Sequence, residues 1–137
     1  MPYYAVIDTN VLVSALLSSH SDAATVQVVG KLFSGDVIPL FNREILQEYN
    51  DVLRRKKFGF DEEIVATLIS VIEKTGLLVQ PAVSGEIFVD MKDLPFYEVV
   101  LSKQDERAYL VTGNLKHFPD KPFIVTASEF LAILNQK

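Results

Sequence analysis

Four places in this chain set an acidic or amide side chain where an apolar run stops. In Tyr3-Tyr4-Ala5-Val6-Ile7-Asp8-Thr9-Asn10-Val11-Leu12-Val13 the apolar climb ends on Asp8 and resumes after Asn10. A short buried strand ending at Asp8, with a helix starting just beyond, fits that pattern. Glu48 stands three residues after Ile45 and four before Val52. It therefore borders the apolar stripe of a helix, with Glu44 one turn earlier and further round towards solvent. Asp93 precedes Leu94-Pro95-Phe96, and a proline favours the first turn of a helix. Asn114 follows Tyr109-Leu110-Val111-Thr112-Gly113, a second buried strand that runs into a turn. Carboxylates at such points can bind a cation or move a proton. Each also has an ordinary reading. Asp8, Asn10 and Asp93 suit helix caps, Glu48 can pack its stem and keep its head wet, and Gly-Asn is common turn chemistry.

Composition narrows the chemistry. There is no cysteine and there are only two histidines, His20 and His117. That excludes disulfides and thiolate metal sites and makes a zinc centre of nitrogen and sulfur ligands a poor fit. Any metal must be held by oxygen, which favours Mg2+ or Mn2+. The net charge of −5 argues against a binder that grips nucleic acid through charge alone. It leaves room for an enzyme that meets phosphate through a bound cation. No run reaches the ~20 apolar residues of a membrane span, and the first residues lack a leader pattern. The expectation is a soluble, cytoplasmic protein of one domain, residues 1–137, with 49% hydrophobic residues to build a core.

The elements that must position these groups alternate. Strands are predicted at Tyr3–Ile7, Val37–Phe41, Leu77–Gln80, Ala108–Thr112 and Phe123–Val125. Helices are predicted at Val11–Leu17, Ala23–Phe33, Arg43–Lys56, Glu62–Lys74, Pro95–Lys103 and Ser128–Asn135. Strands alternating with helices imply βαβ units and a mostly parallel sheet covered on both faces. Asn42 and Asp61 can cap helices, Thr126 and Glu129 have capping-box spacing, and Gly76 can stop the fourth helix. Pro81–Asp93 reads as a loop, with a short strand at Ile87–Val89.

In a parallel sheet the ends of the first and fourth strands share one rim, where open α/β folds bind ligands. That rim would gather Asp8, Asp93 and Asn114, with Glu48 reaching in from the third helix. Two carboxylates about 4 Å apart repel by roughly 4 kcal/mol at an effective dielectric near 20. Three together need a proton or a divalent cation among them.

With these residues in place, the chain resembles the PIN-domain family. The resemblance rests on Val6-Ile7-Asp8-Thr9-Asn10-Val11-Leu12-Val13-Ser14-Ala15, on Glu44-Ile45-Leu46-Gln47-Glu48-Tyr49 with Val52-Leu53-Arg54, on Asp90-Met91-Lys92-Asp93-Leu94-Pro95-Phe96 and on Tyr109-Leu110-Val111-Thr112-Gly113-Asn114. It spans essentially the whole chain and is strongest to the small VapC-like bacterial toxins. The resemblance implies a three-layer α/β/α sandwich with a mostly parallel central sheet. It implies Mg2+- or Mn2+-dependent hydrolysis of RNA phosphodiesters, with Asp8, Glu48 and Asp93 as metal ligands and catalytic groups. Thr9, Asn10 and Thr112 would orient ligands or substrate. Asn114 stands where many members carry a fourth aspartate, and its neutral side chain attracts a cation less. A cognate antitoxin protein would be the natural partner.

The remaining features have competing readings. Arg54-Arg55-Lys56-Lys57 at the end of the third helix complements the helix dipole or contacts phosphate near Glu48. His117 and Lys116 read as a solvated loop or as a substrate contact. Among Tyr3, Tyr4, Phe33, Phe41, Phe58, Phe60 and Phe96, mostly core or edge residues, an exposed subset would form a homodimer face or receive an antitoxin helix. The rival function is a PIN-like module that binds RNA or protein without cutting. A covalent phosphoaspartate mechanism on Asp8 is disfavoured, because position 10 is asparagine instead of a second aspartate.

Overall fold

The computed structural model describes residues 2–81, 83–88 and 90–136. Five strands form one parallel sheet: β1 Tyr3–Ile7, β2 Val37–Phe41, β3 Leu77–Leu78, β4 Tyr109–Val111 and β5 Ile124–Val125, in the spatial order β3-β2-β1-β4-β5. Six helices connect them: α1 Thr9–Leu17, α2 Ala24–Ser34, α3 Arg43–Leu53, α4 Glu62–Thr75, α5 Leu94–Ser102 and α6 Ala127–Leu134. Ala5, Val6 and Ile7 of β1 are all buried, although successive side chains of a strand point to opposite faces. The sheet is therefore covered on both sides, as the apolar runs of its strands require. Helix α5 packs against β1, β2 and β4, α2 against β2, and α6 against β4. This is the expected α/β sandwich.

Register builds the rim. Ile7 lies beside Val111 in the parallel pairing of β1 with β4. The next residue of each strand, Asp8 and Thr112, therefore emerges side by side, and the Asp8 N–H donates to the Val111 carbonyl at 2.9 Å. The strand order reverses here. From β1 the chain crosses to β2 and β3 on one side, and later returns to β4 and β5 on the other.

Local rules explain most boundaries. The Asn42 side chain accepts from Ile45 N–H at 2.8 Å, and Asp61 accepts from Glu63 N–H at 2.8 Å. Thr126 and Glu129 form the reciprocal capping box. Gly76 ends α4 for a different reason from a left-handed cap. Its backbone is extended, but a Cβ there would lie 2.4 Å from the Pro39 carbonyl oxygen, so only glycine lets α4 turn directly into β3 alongside β2.

Three expectations need correction. The third helix stops at Leu53, short of Lys56. Leu53 is its last buried residue, and the basic run beyond it follows the helix without forming its last turn. The third strand is only Leu77–Leu78. Val79 N–H still reaches the Phe41 carbonyl at 2.8 Å, but Pro81 follows closely and has no N–H for a ladder. Of the strand expected at Ile87–Val89, Val89 lies outside the described residues and Ile87 and Phe88 are irregular. Phe88 is buried against Tyr97 and Phe118 and pins the loop to the core.

Candidate active site

Asp8 is 6% exposed. It occupies the N-cap position of α1, yet its side chain makes no capping hydrogen bond. Instead the Thr112 hydroxyl donates to its Oδ2 at 2.7 Å. Thr112 in turn accepts from the Asn114 N–H at 3.0 Å. Burial pushes the Asp8 carboxyl above its ordinary range. The Thr112 hydroxyl opposes that, the charge of Asp93 adds to it, and the nearby backbone N–H groups of Asn10 and Thr9 oppose it.

Glu48 comes from α3. That helix is fixed to β1 by Tyr49, whose buried hydroxyl donates to the Ile7 carbonyl and whose ring packs on Phe96 of α5. Burial and the Asp8 and Glu48 charges lift the Tyr49 phenol well above its usual range, so it stays neutral. With Tyr49 inward, the neighbouring Glu48 is half-buried at the rim, and the Thr9 hydroxyl at the start of α1 donates to its Oε2. Burial raises the Glu48 carboxyl first. Thr9 lowers it, Asp8 raises it, Lys92 lowers it and Asp90 raises it.

Asp93 closes a single 3-10 turn, Met91–Asp93, immediately before α5. It too makes no capping hydrogen bond. Asp90 caps that turn through Lys92 N–H at 3.0 Å, and Glu98 accepts from Ser84 N–H at 2.6 Å to hold the preceding loop. Asp93 is left to face His117, with its Oδ2 3.3 Å from Nδ1. Its carboxyl is raised by burial and by Asp90, lowered by His117 and raised by Glu48. The reading of His117 as a merely solvated loop residue is thus corrected. It is half-exposed, but it sits on a rim carboxylate.

The three carboxylates are electrostatically linked. Asp93 raises Asp8, Asp8 raises Glu48 and Glu48 raises Asp93. All three are held by hydroxyl or imidazole groups, and among the described residues none is paired with a Lys or Arg. Among the described residues, no three His, Cys, Asp or Glu side chains are drawn together into a ready-made metal cage. The donor set nonetheless suits a hard divalent cation. Mg2+ takes one or two protein carboxylates and keeps several waters, and the mutual repulsion is what such an ion removes.

The other predicted residues divide. Thr9 and Thr112 each hold a carboxylate. The Asn10 Oδ1 accepts from Gly113 N–H at 3.2 Å and ties the turn after β4 to α1. The Asn114 side chain is exposed, and the recorded bond of this residue to the rim runs through its backbone. A Cβ at Gly113 would meet Asn10 only at ordinary contact distance, 3.5 Å, so that glycine is not forced. Residues missed as supports are Tyr49 and His117. Tyr49 was visible only as part of an apolar stripe, and His117 gave no local signal of its carboxylate partner.

The family model for the PIN domain matches residues 4–116. No curated protein and no solved structure matches the chain.

Proposed function

The chain belongs to the PIN-domain family, whose members are generally nucleases, and from that premise we propose that it is a metal-dependent ribonuclease that hydrolyses RNA phosphodiesters. The observation that carries the reading is the electrostatically linked triad of Asp8 after β1, Glu48 on α3 and Asp93 before α5. Each is made costly to ionise by burial, and in each the cost is increased by another carboxylate.

Asp8 and Asp93 present hard oxygen donors for Mg2+ or Mn2+. Held there, such a cation would supply a lowered pKa for water and neutralisation of phosphate charge. Glu48, raised by burial, is the acceptor for the proton of the attacking water, or a third donor to the cation. The Thr112 and Thr9 hydroxyls hold Asp8 and Glu48 in orientation, Asn10 braces the turn that carries Asn114, and His117 holds Asp93.

Purified protein and its Asp8→Asn variant, incubated with a panel of single-stranded and hairpin RNAs with and without Mn2+, test this. Metal-dependent products from the wild type alone are expected. Equal turnover by both proteins would refute it. The alternative, a PIN-like module that binds without cutting, is favoured by the lack of a preformed cage among the described residues and by Asn114. It predicts no heat of Mn2+ binding by calorimetry.

The biological setting is the toxin component of a toxin–antitoxin pair in the cytoplasm. A groove of about 400 Å3 bordered by Leu16, Val29, Phe33, Ile64 and Leu68 is the proposed seat of an antitoxin segment or of a second copy of the chain. Phe33 is 51% exposed there. Phe41 and Phe96, by contrast, are core residues and are removed from that candidate surface. Among the described residues no helix is long and apolar enough to cross a membrane. Growth arrest on expression, relieved by a co-expressed neighbouring small protein, is the expected result.

A further inference from the structure

A groove of about 410 Å3 opens beside Glu48 between α3 and the turn before α5. Three features set it apart. It begins at a rim carboxylate. It is lined by two cations, Arg55 and Lys92, neither of which forms an ion pair among the described residues. It also carries an apolar floor of Val52, Met91 and Pro95, with Met91 53% exposed.

Three of the four basic residues after α3 have separate fates. Arg54 is engaged by Glu62 through two hydrogen bonds, 2.8 and 2.9 Å. Lys57 lies 5.1 Å from the Phe58 ring centre. Arg55 faces the groove. Lys92 comes from the opposite wall and is close enough to Glu48 to favour its charged form. Glu44 and Asp51 also line the groove. Asp51 accepts from Gln47 at 2.8 Å, which fixes its position and leaves its charge, so with Glu44 and Glu48 it confines phosphate to the Arg55 and Lys92 part of the wall. At that part of the wall cations stand beside apolar surface, charge for a phosphate and aliphatic area for the face of a base.

Resting on the ribonuclease reading, we propose that this groove is the subsite for the nucleotide flanking the scissile phosphate. Arg55 and Lys92 take its phosphate, and its base lies on Met91, Val52 and Pro95. Both cations are substrate-binding groups, separate from the triad.

The test is equilibrium binding of a fluorescent single-stranded RNA across a salt series, in an Asp8→Asn background that prevents cutting. Each phosphate contact on a single strand contributes about 0.7 to the slope of log K against log salt. The double variant Arg55→Ala/Lys92→Ala, which removes one phosphate contact, should therefore reduce the slope by about 0.7. Lys31→Ala/Lys74→Ala, in the last turns of α2 and α4, should leave it unchanged. With an intact Asp8, the Arg55/Lys92 variant should raise KM more than it lowers kcat. An unchanged slope in a protein whose wild type cuts RNA overturns this groove and spares the nuclease. Wild type that neither binds nor cuts RNA overturns both.

Discussion

Replacing Asp8 by asparagine should make the metal-free protein more stable at pH 7. The Asp8 carboxyl is raised from its ordinary value, first by burial, against the pull of Thr112, and further by Asp93. A carboxyl raised in the folded state favours the folded state while protonated. That contribution is complete below the ordinary carboxylate range and is lost as pH rises through the raised value. Wild type therefore loses stability over the window just above pH 3.8, and Asp8→Asn does not. The Asn side chain keeps an oxygen for Thr112, so the variant removes charge and not the hydrogen bond. Relief of one like-charge repulsion acting over about 8–16 Å at an effective dielectric near 20 is worth roughly 1–2 kcal/mol. For 137 residues, an unfolding entropy of about 2.1 cal/mol/K per residue converts each kcal/mol into about 3.5 °C. The expected gain in Tm at pH 7 without metal is about 3–7 °C, shrinking to nothing below pH 4. Mn2+ at a hundredfold its Kd should raise the wild type by about 2.7 kcal/mol, roughly 9 °C on the same conversion, and raise the variant much less. Differential scanning calorimetry from pH 3.5 to 7.5, with and without Mn2+, reads both effects. A variant that melts lower than wild type at pH 7 without metal, or by a margin independent of pH, would refute the view of Asp8 as a charge held at a cost.

Three other perturbations follow from the geometry. Gly76→Ala places a Cβ within 2.4 Å of a carbonyl of β2 and should cost about 1–3 kcal/mol in chemical denaturation, with helix content retained. Tyr49→Phe removes the donor to Ile7 and should cost about 1–3 kcal/mol. Because it lets α3 shift against β1, it should also lower kcat more than it changes KM, and stability loss with unchanged turnover would count against a positioning role. His117→Ala removes the group that lowers the Asp93 carboxyl. Asp93 should then ionise at higher pH, moving the acid limb of the pH–rate profile upward, and an unmoved limb would separate His117 from the site.

The strands were legible because a sheet covered on both faces demands continuous apolar runs, and Ala5-Val6-Ile7 and Tyr109-Leu110-Val111 have no other simple reading. Asn42, Asp61 and the Thr126–Glu129 pair were legible because a cap is a rule over three or four residues. The same rule misread Asp8 and Asp93 as equally good caps. Their side chains are claimed by Thr112, 104 residues away, and by His117, and no local rule reaches that far. The basic run was ambiguous for the same reason. Whether Arg54 serves the helix end or a ligand is decided by Glu62 across a turn containing Gly59 at φ 64°.

The asparagine at position 114 costs the site less than its charge suggests. A hydroxyl has one proton, and Thr112 Oγ1 already accepts the Asn114 backbone N–H. That bond occupies one lone pair and leaves the hydroxyl proton for Asp8 Oδ2. Position 114 therefore acts on the first carboxylate through its backbone, which any side chain but proline preserves. A fourth aspartate would add a donor for a cation, but it would also add repulsion to three groups already raised by burial. With asparagine the rim keeps three carboxylates that two threonine hydroxyls and one imidazole hold in place, and a divalent ion, on the proposed reading, would meet three like charges instead of four.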